Sequence, residues 1–285
     1  MRSYINQNNF DYIIDFRFRT KPLQELIISR FIYKSKAIFT VHSYLIDHYM
    51  PNWSWLTRLM YNESYAVVSI THQMNKLISD KHQLNNLVTI HNPVSFDEID
   101  LRKDAPNNLN FQYIIAVGQY ENPIKQFDKL IETYAQSNLP SQNIHLVILG
   151  DGDKEILQKQ IAIHYLEQKV HLLGYKENPF KYISKAKFLV LCSQNEGMPN
   201  VILESLTCET PVIAFDCPSG PREIINENNG ILVENQNWET LRLAMENMIT
   251  NKILYLHCKS NARNSLNTFE INAIGQQWLS LLEIK

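Results

Sequence analysis

From Tyr113 onward, short apolar runs alternate with stretches of helical periodicity, and this alternation limits the fold more than any other property of the chain. Strand-length runs lie at Tyr113–Val117, His145–Leu149, Val170–Leu173, Phe188–Cys192, Pro211–Phe215 and Gly230–Val233. Between them are amphipathic stretches such as Lys154–Tyr165 and Gln126–Ala135, the latter with Phe127, Leu130, Ile131 and Tyr134 on one face. Continuous apolar runs mark strands buried on both faces, and a parallel sheet needs helices to cross between them. The expectation is an α/β, doubly wound, Rossmann-like domain.

The first ninety residues repeat the alternation in shorter form. Strands are expected at Asp11–Phe16, Ala37–His42, Ala66–Ile70 and Leu87–His91, and helices near Leu23–Tyr33, Trp55–Tyr61 and His72–Ser79. Residues Ser95–Asn110, with Asp104-Ala-Pro-Asn-Asn among them, carry no periodicity and are expected to be a linker. The tail from Ile253 to Leu282 is helical by pattern. The organisation is therefore a partial Rossmann-like domain (1–94), a linker (95–110), a second Rossmann-like domain (111–252) and C-terminal helices (253–285) packing back across both. Two such domains would face a cleft. A length of 285 residues at 45% hydrophobic content suits two cores.

Charge and composition exclude several classes. A net charge of −2, with no Lys/Arg block or aromatic-basic stripe, argues against nucleic-acid binding. The first sixty residues hold eight cations (Arg2, Arg17, Arg19, Lys21, Arg30, Lys34, Lys36, Arg58) against four acids. That balance suits either a solvated surface or peripheral contact with an anionic inner membrane. Cys192, Cys208, Cys217 and Cys258 lack metal or redox spacing, and reduced buried thiols in a cytoplasmic protein are expected. The Met1-Arg-Ser-Tyr start continues into Asn-rich sequence without an apolar h-region, so no signal peptide is expected, and no run reaches the roughly twenty apolar residues of a membrane span. His42 and His48, six apart, fit neither a helix face nor a finger, and no metal site is expected.

Where the Phe188–Cys192 strand should hand over to a helix stands Glu196-Gly197-Met198-Pro199-Asn200 and, eight positions after Glu196, Glu204. Pro199 suits the first turn of a helix, because its missing N–H would have been unpaired there anyway. Free amides at such a helix start, beyond a strand end, suit phosphate. Both carboxylates can then lie near one ligand as hydroxyl acceptors. Gly150-Asp-Gly152 is read as a tight turn. Asp216 with Ser219-Gly220-Pro-Arg222-Glu223 is either a loop over the cleft or, through Ser219, a helix cap.

These residues resemble a known family. Val117-Gly118, Lys125 to Ile131, Leu149-Gly-Asp-Gly152, Leu173-Gly174-Tyr175, Ser193-x-x-Glu196 through Glu204, and Thr210 to Glu223 are similar, in order and spacing, to the C-terminal half of retaining GT-B glycosyltransferases of family 4, the glycosyl transferases group 1. Residues 37–94 are similar more weakly. The resemblance implies two Rossmann-like domains, the N-terminal one incomplete. It implies sugar transfer from a nucleotide-diphosphate donor, most often UDP-linked, to a glycan or lipid-linked acceptor, with retention and without metal or other cofactor. Surface polysaccharide or glycoconjugate synthesis is the implied setting. Under it Lys125 charges the phosphates, the Gly197–Asn200 segment (Gly197, Met198, Pro199, Asn200) supplies dipoles through its backbone amides, Pro199 shaping the turn without an N–H of its own, and Glu204 holds the ribose. Glu196 holds the sugar, Gly174 and Tyr175 line the base pocket, Gly118 and Gln119 belong to the donor loop, and His42 reaches the transferred sugar. Glu196, Lys125 and His42 are the catalytic candidates.

Three departures stand out. Gln119 occupies the place of an arginine that clamps the diphosphate, and a neutral donor bonds about half as strongly as a charged one. Arg222 is the cation best suited to replace it. Glu209 stands where a glycine ends the helix, at about 1 kcal/mol if that residue is left-handed. The part before Ser95 is short for the family, which reads as a fragment or a shifted start in preference to a reduced acceptor domain. The leading reading is an active transferase. A non-catalytic nucleotide-sugar-binding remnant is the alternative, and a GT-B-like epimerase has no positive support.

Overall fold

A computed structural model describes residues 2–33 and 35–283, which divide into two compact units. The first comprises 1–92 with 274–285, and the second comprises 93–273. In the first, β1 (Tyr12–Asp15), β2 (Lys36–Val41), β3 (Ala66–Ser69) and β4 (Leu87–Thr89) form a parallel sheet in the order β1-β2-β3-β4. Helices Ser54–Tyr61 and His72–His82 match the expected positions. The helix expected over Leu23–Tyr33 is α-helical only over Pro22–Ile27 and continues as a π turn, Ile28–Ile32. Of the C-terminal tail, Ile274 joins the core built on Ile38, Ala66, Val68 and Ile90, with Trp278 and Leu281 packed against it. A fully buried residue of that size contributes about 1.5–3 kcal/mol.

In the second unit, β5 (Gln112–Val117), β6 (Ile144–Leu149), β7 (Val170–Gly174), β8 (Leu189–Leu191), β9 (Val212–Phe215) and β10 (Gly230–Val233) are all parallel, in the order β10-β9-β8-β5-β6-β7. Residues of β6, β8 and β9 are buried throughout, which is why these strands read as unbroken apolar runs. The chain lays down β5, β6 and β7 in one direction, returns, and lays down β8, β9 and β10 in the other. The switch point between β5 and β8 leaves a crevice beyond their C-terminal ends, where such sheets bind ligands.

The linker expectation for 95–110 is corrected. Phe96–Lys103 is a helix, with the Ser95 Oγ accepting from the Glu98 N–H at 3.2 Å. Asp97 and Glu98 open it and Arg102 and Lys103 close it, the charge order that the helix dipole favours. It belongs to the second unit, where Asp100 takes a two-pronged bond from Arg263 at 2.6 and 2.7 Å. The charges on Arg263 and Lys103 hold the Asp100 carboxyl down at about 2.

The basic N-terminal residues are largely engaged inside their unit. Arg17 bonds to Asp15 and Glu25, Arg30 pairs with Glu63, and Arg19 is 1% exposed. Lys34 and the Arg2 side chain lie outside the described residues. All four cysteines are free and buried, and burial pushes the Cys208 and Cys217 thiols up to about 12. Among the described residues no helix is long and apolar enough to cross a membrane.

Candidate functional site

The crevice at the switch point is built from four strand-end loops tied to one another. Gly118, after β5, donates its N–H to Leu149 O at 2.9 Å, and Gly150 donates to Gly174 O at 3.2 Å. A Cβ on Gly150 would stand 1.8 Å from Gly118 O, so only glycine lets these loops meet. The Gln194 N–H, after β8, donates to Ile124 O at 2.9 Å and so fastens the β8 loop to the β5 loop.

That fastening brings two predicted site residues together across 71 positions of sequence. Lys125 Nζ donates to Glu196 Oε1 at 2.6 Å, with side chains 21% and 13% exposed. An ammonium has three donors, so two remain for a ligand's oxygens. Gly118 lies beneath, where a Cβ would come 3.2 Å from the Lys125 stem. After Glu196 the chain passes Gly197 and buried Met198 to the helix Asn200–Thr207. Pro199 is the residue before that helix, with φ −76° and ψ 94°, not in its first turn as the sequence suggests. Its ring still fixes the backbone approach to the helix.

Glu204 lies in the second turn of that helix. It lines a recess of about 170 Å³ together with Pro93, Ser95, Glu98, Phe180 and Asn200 among others. Burial, and secondarily the charge of Glu98, push its carboxyl above the usual range. Glu98 carries no sequence signal as a site residue, because its helix was itself not foreseen.

At the other side of the site, Gly174 closes β7 with φ +76° and open space around its Cα, and Tyr175 is 72% exposed. Tyr120, missed by sequence reading, braces this end. Its buried hydroxyl accepts from the Gly174 N–H at 2.7 Å and donates to Ile148 O at 3.0 Å. Gln119 is exposed. Arg222, the proposed substitute cation, is committed to Asp216 through Nε at 3.0 Å and through Nη2. Glu209 has φ +59°, so the left-handed position foreseen there exists and is filled by a residue with a Cβ.

His42 belongs to the first unit, directly after β2. Its Nε2 is buried without a hydrogen-bond partner, and its ring lies 5.5 Å from that of Phe16. Burial, then the charge of Arg19, lower its pKa from 6.5, so it is neutral at pH 7. Arg19, expected on a basic surface, instead nails the strand ends. It donates to Tyr49 O (3.1 Å), Asp15 O and Arg17 O (both 3.2 Å) and Thr40 O (2.8 Å), and lies over the Phe39, Tyr49 and Tyr61 rings. The His145 and His171 pair on β6 and β7 is packing: Nδ1 to Nε2 is 2.8 Å, and Phe111 stacks on both rings.

Comparison with known proteins gives a consistent set. The family described as "Glycosyl transferases group 1" matches residues 97–265. A Campylobacter jejuni N-acetylgalactosamine-N,N'-diacetylbacillosaminyl-diphospho-undecaprenol 4-alpha-N-acetylgalactosaminyltransferase is 31% identical over 195 residues, 68% of this chain and 52% of that protein. A Staphylococcus aureus poly(ribitol-phosphate) alpha-N-acetylglucosaminyltransferase is 29% identical, over 77% of this chain and 44% of that protein. The chain thus spans about half the length of these relatives. Anabaena HepE, solved with UDP and glucose, superposes with a TM-score of 0.80 at 19% identity, covering 96% of this chain and 78% of HepE. S. aureus TarM gives 0.74 at 24% identity, covering 90% and 52%. At these identities the structures speak to the fold, two parallel-sheet α/β units of GT-B type.

Proposed function

The chain belongs to the glycosyl transferases group 1 family, and on that premise we propose that it moves a sugar from a nucleotide-diphosphate donor, UDP-linked in the first instance, to a glycan or lipid-linked acceptor with retention of anomeric configuration. The observation that carries this reading is the Lys125–Glu196 pair at the switch point, beside the amides that open the Asn200–Thr207 helix. In the reaction the bond from the anomeric carbon to the diphosphate oxygen breaks and a bond to an acceptor hydroxyl forms on the same face. The hydroxyl proton leaves with the diphosphate.

Charge builds on the leaving oxygen while the sugar becomes oxocarbenium-like, so fixed positive groups aimed at the phosphates lower the barrier most. Lys125 supplies a cation and the Gly197–Asn200 segment supplies dipoles, in a chemistry that needs no metal. Glu196 accepts from sugar hydroxyls and keeps Lys125 aimed. Glu204 accepts from the ribose, Gly174 and Tyr175 receive the base, and Gly118 and Gln119 border the phosphates. The relatives' names support surface-glycan synthesis as the setting. Peripheral contact with an anionic membrane rests on Lys21 and Arg58 with exposed Trp53 and Trp55.

The test is release of nucleotide diphosphate from a panel of sugar donors, with and without chelator. Wild type should release it regardless of chelator, while Lys125→Ala and Glu196→Ala should lose at least about tenfold, the loss of one charge-assisted bond. One observation favours a second reading, a binding remnant: Gln119 brings no charge and Arg222 is held by Asp216. Donor binding without turnover would support the remnant.

A further inference from the structure

The loop after β9 is built onto the residues assigned to the donor. Glu196 N–H donates to Pro218 O at 2.7 Å, and Ser219 N–H donates back to Glu196 O at 3.2 Å. The Ser219 side chain, fully buried, donates from Oγ to Gly197 O at 2.8 Å. Gly220 follows with φ +98°, and a Cβ there would stand 2.6 Å from Pro199 Cδ, 3.0 Å from Gly197 O and 3.2 Å from Met198 Cα. Asp216 and Arg222 close the base of the loop. Three consecutive residues thus make every one of these contacts with the four residues 196–199. A loop serving only to join β9 to the next helix needs none of them.

We propose that Ser219 and Gly220 are positioning residues for the phosphate-facing amides, setting where the Gly197–Asn200 backbone lies while touching no ligand themselves. The Ser219 hydroxyl and the Glu196–Ser219 backbone bonds pull the segment toward the loop, and the missing Cβ of Gly220 sets how close it comes. The atoms a Cβ would meet are a proline ring and backbone, which cannot swing aside as the end of a long side chain can. An alanine at 220 therefore displaces the amides themselves. A hydrogen bond weakens steeply once its angle and length leave their narrow range, so displaced amides lose phosphate oxygens while the nucleoside subsites at Gly174 and Glu204 stay in place.

The inference rests on the reading of residues 197–200 as the phosphate cradle, and the experiment separates the two. Calorimetry is run on the whole chain with UDP, GDP and ADP, each beside its own nucleoside, and the best-bound pair is carried forward. Gly220→Ala should weaken the diphosphate about tenfold, the scale of one charge-assisted bond, and leave the nucleoside within about twofold. Ser219→Ala, which keeps the backbone conformation and guards against a misfolded glycine variant, should shift the same ratio in the same direction. If diphosphate and nucleoside weaken together in folded variants, or neither changes, the positioning role is wrong. If wild type binds the diphosphate no better than the nucleoside, the phosphate cradle itself is wrong and the inference falls with it.

Discussion

Gln126, next to Lys125, is held in a conformation that costs stability, and Gln126→Gly should recover it. The residue precedes the helix Phe127–Gln136 with φ +52° and is 3% exposed. Neither its Nε2 nor its Oε1 has a hydrogen-bond partner. A left-handed residue with a Cβ costs about 1–2 kcal/mol, and each buried unpaired polar group costs about 1–3 kcal/mol. Against these stand about 1 kcal/mol of extra chain entropy for glycine and about 1.6 kcal/mol for two lost buried methylenes at about 0.8 kcal/mol each. The balance is a stabilisation of roughly 0.5–5 kcal/mol. In a unit of this size 1 kcal/mol moves the melting temperature by about 2–4 °C, so the second unit should melt several degrees higher.

The assay is thermal unfolding followed by circular dichroism, with Gln126→Leu as the control. Leucine removes the unpaired amide but keeps both the left-handed strain and the buried methylenes, so by the same terms it should gain about 0.6–1.6 kcal/mol more than glycine. A glycine variant that melts at or below wild type would refute the reasoning.

Two further substitutions in the second unit have definite expected outcomes. Tyr120→Phe strips the partner from the Gly174 N–H and from Ile148 O; it should cost about 1–3 kcal/mol, read as a melting temperature lower by several degrees, and an unchanged value would contradict the bracing role. The His145 and His171 imidazoles are both held below 6.5, by burial first and, for His145, then by the charges of His171 and Lys169. Below pH 6.5 the unfolded chain therefore binds more protons than the folded one, so stability is full above about pH 6.5 and falls as pH drops through the lowered folded values. His171→Gln, which cannot titrate, should make the fall in melting temperature between pH 7 and 5 shallower, and an unaltered slope would rule the pair out.

Much of the fold was legible because strands buried on both faces leave an unmistakable record. Gly230–Val233 has the same bounds in sequence and structure, and the other five strands of the second unit agree within one or two residues. Phe96–Lys103 was not legible by periodicity, because only Ile99 is buried and Leu101 is 88% exposed. Its cap and its charge order were the available signal. Arg19 looked like surface charge and Gln126 like a helical residue, since neither burial nor a positive φ is written in residue type.

By itself the sequence determined the α/β alternation, the glycines at strand ends and the family to which residues 97–265 belong, because local periodicity and short motifs report local burial and backbone shape. It also supplied Lys125, Glu196 and Glu204 as candidates. Only the tertiary structure decided which of them meet. Lys125 and Glu196 touch because β8 returns to lie beside β5, and Glu204 lines a recess to which Ser95 and Glu98 of the Phe96–Lys103 region also contribute. Strand order is set by how crossover helices pack over long stretches of chain, and that information is shared among dozens of side chains, so no single motif carries it.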